Sequence, residues 1–226
     1  MKIKIICIAL CVVFFAAGII IAISYRTGLK SADLSDEALA DFEISIMRQD
    51  VLDDLENIPT ADGIIEASDA IFLVEATGNR TLSKSDILSE VVIKKVFKQY
   101  ENFKENDIIY IFEPIYVNIA ENPVYNRIRL NALHNIMQKN QTYIVCLKFF
   151  KRPDGYNYSD KELRIFLYTD KNFGIFSSDE PECKLMDDQT KYKYKDLQTC
   201  ECLISNEEIF SYYLEVRKNL LTKLDY

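Results

Sequence analysis

The chain has one histidine, His134, and six cysteines, so nucleophilic and metal chemistry have few places to start. No Gly-x-Ser-x-Gly elbow or other local triad signature accompanies His134. Leu133 and Ile136 beside it give it the setting of a structural residue on a helix flank. Cys200-Glu201-Cys202 with Cys183 and His134 would supply four metal ligands, but zinc-binding cysteines are usually separated by about two to four residues, and a single spacer fits poorly. No metal and no cofactor is assigned. A disulfide among Cys183, Cys200 and Cys202 is the better reading. Cys183 to Cys200 or Cys202 is the shortest sensible closure, and the pairing stays open.

Other chemistries have weaker footholds. Asp187-Asp188 and Asp154-Gly155 lack the alternating acids and the glycine of a calcium loop. No glycine-rich phosphate loop is present. Two carboxylates suffice for glycoside hydrolysis, and a chain this acidic contains many, so their number assigns nothing. A binding surface is a further possibility. Tyr156 and Tyr158 flank the Pro153-Asp154-Gly155 turn, while Tyr192 and Tyr194 alternate with Lys191, Lys193 and Lys195. That alternation suggests an edge strand with an aromatic and a basic face. Tyrosine supplies contact area with a polar handle, although lysines guarding a strand over the core would give the same pattern.

The elements that must position these residues begin with an apolar run. Ile5 to Ile23 is nineteen residues without a charge, preceded by Lys2 and Lys4 and followed by Arg26 and Lys30. A hydrocarbon core of roughly 30 Å needs about 20 helical residues, and the run has no polar face. It is expected to be a transmembrane anchor or uncleaved signal segment, with residues 1–4 a cytoplasmic tail and the rest extracytoplasmic. Cleavage after Ser24 would make the protein secreted. Cys7 and Cys11 lie inside the run and read as small hydrophobes.

Residues 1–30 carry four basic and no acidic side chains, which leaves 23 basic against 35 acidic residues and a net charge of −12 beyond them. That field excludes nucleic acid as a favoured partner. Residues 24–59 form the expected juxtamembrane acidic helix: Ile44, Met47, Val51, Leu55 and Ile58 recur at helical spacing over Asp33 to Asn57, and Pro59 stops it. Residues 60–226 are the β-rich domain. Strands are expected at Ala70 to Thr77, Ser89 to Phe97, Ile108 to Phe112 and Tyr143 to Phe150. Leu163 to Thr169 and Phe173 to Ser177 should form a hairpin around Lys171-Asn172, and Arg129 to Met137 a short helix. A final helix over 206–225 buries Ile209, Tyr212, Tyr213, Val216 and Leu220.

Four pieces follow one another in a familiar order: Asp69 to Gly78, Val91 to Lys98 ending in Val-Phe-Lys, Asn106 to Phe112, and Lys139 to Phe149 with its Tyr-Ile-Val-x-Leu core. Residues 69–149 thereby resemble bacterial envelope proteins with a netrin-like domain, the type also found in tissue inhibitors of metalloproteinases. The resemblance implies a five-stranded OB-type barrel. Those inhibitors grip a protease metal with a cysteine at the mature amino terminus, and nothing here matches it, so no functional residue carries over.

The expected fold class is therefore α+β, a small, mainly antiparallel, OB-like barrel with flanking amino- and carboxyl-terminal helices, preceded by one transmembrane helix. The expected function is a non-enzymatic, membrane-anchored binding or accessory domain with a protein or peptide partner. The alternatives are a cell-surface hydrolase using carboxylates or His134, and an accessory subunit docking on a membrane complex through the acidic helix.

Overall fold

The structure, a computed structural model, describes residues 32–46, 59–83, 85–151, 153–186, 190–204 and 206–226. The chain divides into two units, Met1–Asp33 and Leu34–Tyr226, and the architecture below belongs to the second. A short helix α1 (Asp36–Leu39) leads into β1 (Glu43–Ile46). After α2 (Ala61–Ala67) come three long strands, β2 (Ala70–Ser83), β3 (Asp86–Lys98) and β4 (Ile108–Asn118). Shorter strands follow: β5 (Arg127–Leu130), β6 (Thr142–Phe149), β7 (Ile165–Tyr168), β8 (Ile175–Ser177), β9 (Cys183–Leu185) and β10 (Tyr192–Lys193). One turn of helix, α3 (Tyr194–Leu197), then β11 (Cys202–Ile204) and α4 (Glu207–Lys223) complete the chain.

Nine strands join in one mixed sheet in the order β10-β1-β5-β4-β3-β2-β6-β7, with β8 also paired to β6. β1 runs parallel to β5 and β4 parallel to β7. The β4–β7 pair returns β4-β3-β2-β6-β7 on itself within the larger sheet. This corrects the expected fold class: the sheet is large and mixed, not a small antiparallel barrel with helices at its flanks. β1, β5, β7, β8 and β10 are two to four residues long, too short for a period-two pattern to register, and the β1–β10, β1–β5 and β4–β7 pairings join strands distant in sequence.

β6 and the first half of β2, Ala70 to Ala76, are largely buried on both faces, which explains their continuous apolar runs. Ala70, Phe72, Val74 and Ala76 of β2, with Tyr143, Val145 and Leu147 of β6, join one core cluster with Val91, Ile109 and Phe166. The alternate residues Ile71, Ile144 and Cys146 face a second cluster that contains Ile209, Tyr213, Val216 and Leu220 of α4. Each such apolar side chain contributes about 1.5–3 kcal/mol relative to exposure. The side chain of Asn206 caps α4 by accepting from the Glu208 and Ile209 amides, and Lys223 lies in its last turn, where the dipole favours a cation.

Several local expectations change. The helix expected over Asp33 to Asn57 is the four-residue α1 followed by the strand β1, and its remainder from residue 47 on lies outside the described residues. β-branched Ile44 and Ile46 pair with Ile128 and Leu130 of β5, a register that helical spacing conceals. Arg129 to Met137 is β5 and an extended crossing rather than a helix. Ala132 to Met137 are all buried, so Leu130, Leu133 and Met137 do not mark a single buried face. β7 and β8 form no hairpin; both pair with β6, at Leu147↔Tyr168 and Val145↔Ile175. The Asp170 carboxylate accepts from the Asn172 and Phe173 amides in the turn between them. Gly174 follows that turn, where a Cβ would lie 2.4 Å from the Asp170 carbonyl oxygen.

Among the described residues no helix is long and apolar enough to cross a membrane. The longest, α4, is amphipathic. The transmembrane-helix and signal-anchor reading is corrected to that extent, and the Ile5 to Ile23 run on which it rested lies outside the described residues.

Candidate functional site

After β5 the chain crosses beside β11. The Asn135 amide donates to the Glu201 carbonyl at 2.7 Å, and the Leu203 amide to the Leu133 carbonyl at 2.9 Å. On its other side β11 pairs in parallel with β9. His134 thus sits on a ladder rung opposite Cys202. The crossing, the end of β8, Tyr143 of β6 and the turn before β11 enclose a cavity of about 410 Å³.

His134 is 1% exposed and lines this cavity. Its Nδ1 lies 3.0 Å from the Asn135 carbonyl oxygen, which can only accept, so Nδ1 carries the proton. Nε2 is therefore the bare lone pair, and it has no partner. Burial lowers the imidazole pKa to about 4, with the bond to Asn135 a smaller, opposing influence, so the ring is neutral at physiological pH. Its ring edge meets Tyr168 with centroids 5.1 Å apart.

Glu201 lies in the same cavity wall. Its Oε1 accepts from the Ser177 amide at 2.5 Å and from the Tyr213 hydroxyl at 2.7 Å. Its Oε2 is buried and unpartnered. Burial raises the carboxyl pKa, and the Ser177 and Tyr213 bonds partly counter that. Asp179, Glu180 and Glu182 are exposed residues of the same lining, and among the described residues no basic side chain belongs to it, although Arg217, which donates to the Ser177 and Asp179 carbonyls, is near enough to favour the ionised form of Glu201. The cavity is thus a neutral imidazole acceptor and a half-satisfied carboxyl inside, with three carboxylates at the mouth. Leaving a buried acceptor unmade costs about 1–3 kcal/mol, and two residues that line this one cavity each carry such an acceptor.

Hydrogen bonds connect the wall to the amino-terminal segment. The Gln138 amide donates to the Tyr143 hydroxyl at 2.8 Å, and Gln138 Nε2 donates to the Tyr194 hydroxyl at 2.9 Å. Tyr194 donates to Asp36 at 3.0 Å, and Asp36 pairs with Arg80 at 2.6 Å. The Arg80 side chain is 2% exposed and also donates to the Leu34 and Met137 carbonyls. This chain of bonds fixes the wall without taking up either orphaned acceptor.

A second cavity, about 450 Å³, lies beside Glu113, Pro114, Tyr168 and Lys171. Glu113 is buried there but satisfied: it accepts from the Ser89 hydroxyl and from the Met137 amide at 3.0 Å. Burial raises its pKa, against the bond from Ser89 and the charge on Arg80. The Tyr168 hydroxyl is its one orphan, so the demand for an occupant is weaker.

The geometry gives His134 no charge relay. In a serine-type triad a carboxylate accepts from the histidine, and here a backbone carbonyl does so. A base with a pKa of about 4 is also poorly matched to neutral pH. Cys200 lines the same cavity, but burial raises its pKa, so the less nucleophilic thiol form persists. Among the described residues no group of three His, Cys, Asp or Glu side chains could hold a metal ion.

Cys146, Cys183, Cys200 and Cys202 are free thiols. Cys183 and Cys202 are register partners across β9 and β11, whereas Cys200 lies in the turn before the strand. The four tyrosines do not form one surface. Tyr156 and Tyr158 meet edge to face 5.4 Å apart, and Tyr156 donates to Glu162 at 2.8 Å. Tyr192 lies in the edge strand β10, but Tyr194 opens α3 and is 0% exposed. The strand expected to alternate ends at Lys193, and the alternation beyond it is a helix turn. The lysines face acids instead: Lys193 and Lys195 reach Asp41 at 3.1 and 3.0 Å. Glu201 and Gln138 escaped the sequence reading as site residues, and Tyr213 was legible only as a buried residue of the final helix. Glu201 was visible only as the spacer between two cysteines.

No family model matches the chain, and no curated protein matches it.

Proposed function

We propose that this domain is a non-catalytic binding module whose ligand chamber is the His134–Glu201 cavity. Its ligand presents an ammonium group, either on a free polyamine or on a lysine side chain of a peptide partner. The observation that carries this reading is that His134 and Glu201, whose Nε2 and Oε2 are buried without a partner, line one cavity together with the exposed carboxylates of Asp179, Glu180 and Glu182. An ammonium offers three donors and a positive charge, and charge-assisted bonds to carboxylate are about twice as strong as neutral ones. An anionic ligand would meet carboxylates on entry and find no basic side chain in the lining. Because burial raises the Glu201 pKa, cation binding to the ionised carboxylate releases a proton, and affinity rises with pH across the titration of Glu201.

Calorimetric titration tests the proposal with spermidine, with an acetylated Gly-Lys-Gly peptide, and with citrate as the anionic control. Saturable binding of either amine and none of citrate is the expected result; which amine binds identifies the source. Glu201→Gln and His134→Phe should each weaken binding by roughly 10- to 100-fold, the equivalent of one lost bond to a charged group. Equal heats from the native protein and both variants, or no binding of either amine, would contradict it.

A further inference from the structure

Behind the cavity wall lies a second arrangement, which does not depend on what the cavity binds. β9 and β11 run parallel, with Cys202 opposite Cys183, Leu203 opposite Lys184 and Ile204 opposite Leu185. The Glu201 amide donates to the Glu182 carbonyl at 2.8 Å, which locks this register one residue before the cysteines. Paired residues of neighbouring strands lie on the same face, and neighbouring strands are about 4.8 Å apart. A disulfide accepts Cα separations of about 4.4–6.8 Å. The pair is also asymmetric, since Cys202 is 0% exposed and Cys183 is partly exposed.

We propose that Cys183 and Cys202 form a reversible dithiol–disulfide pair, with Cys183 as the attacking and Cys202 as the resolving cysteine, oxidised by a small organic disulfide of the glutathione disulfide class. The Cys183 thiolate attacks one sulfur of the small disulfide, its S–S bond breaks, and one small thiol leaves with a proton. Cys202 then attacks Cys183 Sγ in the mixed disulfide. The Cys183–Cys202 bond forms, and the second small thiol leaves with the Cys202 proton. Two protein thiols are oxidised to one disulfide, and one small disulfide is reduced to two thiols. Burial keeps Cys202 protonated and shielded from the reagent, which assigns the first attack to the partly exposed member.

Cys200 is the competitor that the geometry rejects. It ends the turn after α3, where its amide donates to the Leu197 carbonyl at 3.0 Å and its carbonyl accepts from Asn135 Nδ2 at 3.2 Å. Moving it opposite Cys183 would require shifting the β9–β11 register. Oxidation would close the twenty-residue stretch from Cys183 to Cys202, which includes the cavity-lining residues Gln198, Thr199, Cys200 and Glu201.

The test is titration of the full chain with oxidised glutathione under native conditions, followed by alkylation and peptide mapping. The expected result is a Cys183–Cys202 linked peptide and loss of two thiols, with full reversal by a reducing thiol. The linked protein should melt roughly 5–12 °C higher than the dithiol form, as closure of a loop of this length implies. Cys200→Ala should oxidise as the native chain does, whereas Cys202→Ala should stop at a glutathione adduct on Cys183. Mapping of the native chain decides the matter even if Cys202→Ala fails to fold. A Cys183–Cys200 bond, a first adduct on Cys200, or both thiols unchanged would overturn the proposal. So would a linked protein that melts no higher than the reduced one.

Discussion

Two buried regions lie within the strands that return through the β4–β7 pair and the layer beside them, and they are built on opposite terms. In the first, Phe166 meets Phe72, Tyr100, Phe103 and Phe149 with ring centroids 5.5–6.3 Å apart, mostly edge to face. In the second, His134 and Glu201 each keep a polar atom away from water with nothing to bond. The aromatic cluster is complete by itself, because area removed from water and edge-to-face geometry need no outside partner. The cavity is not. Its acceptors cost stability as they stand, and a donor-bearing ligand of the kind we propose would offset that cost on binding. A completed core and an incomplete one on the same scaffold separate the part that folds the domain from the part that we propose serves it.

The largest effects should come from the aromatic cluster and from the Arg80 network that braces the cavity wall. Phe166→Ala should lower the unfolding free energy by about 4 kcal/mol in denaturant titration, the usual cost of removing a buried phenylalanine. Arg80→Ala should cost about 3 kcal/mol, because it leaves the Leu34 and Met137 carbonyls without their side-chain donor and Asp36 with the Tyr194 hydroxyl alone. Loss of much less than 1 kcal/mol in either would show that these regions do not hold the fold.

The incomplete region should reveal itself through pH. The folded pKa of His134, about 4, lies below its ordinary 6.5, so its contribution is present above pH 6.5 and lost as pH falls through 4. The loss amounts to roughly 2–3 kcal/mol across that window. Glu113 and Glu201 act with the opposite sign. Their raised pKa values give a contribution present below about pH 4.5 and lost as pH rises through the folded values. His134→Phe should therefore abolish the stability loss between pH 6.5 and 4, which urea titrations at several pH values would detect. At the small end, Asp41→Asn breaks two exposed ion pairs and should leave the denaturation midpoint unchanged within error. A clear shift there would mean that the lysine-flanked edge of β10 matters more than the cavity does.

How much of this was legible depended on how locally each element is determined. Ala70 to Thr77 and Tyr143 to Phe150 could be read because burial on both faces writes an unbroken apolar run. The final helix could be read because Ile209, Tyr213, Val216 and Leu220 recur at helical spacing. β1 could not, since Ile44 falls in step with Met47, Val51 and Leu55 as one helix stripe and its partner β5 lies far along the chain, with Glu43 paired to Arg127. The crossing from Ala132 to Met137 misled for a related reason: a segment buried on all sides carries any period one looks for. The cavity was half visible. His134 drew attention as the single histidine and was read as structural, while Glu201 acquires meaning only when β11 places it beside Ser177 and Tyr213. The cysteines were narrowed to Cys183, Cys200 and Cys202, and only the parallel register distinguishes Cys202 from Cys200.

The most direct test uses the fact that His134 is the single histidine, so nitrogen-15 labelling of histidine yields one imidazole to follow by nuclear magnetic resonance. The account predicts an Nδ1-protonated ring with a bare Nε2, no titration until the pH approaches 4, and a saturable shift of the Nε2 signal when spermidine or the lysine peptide is added. An imidazole that titrates near 6.5, or an Nε2 signal that neither amine moves, would contradict it.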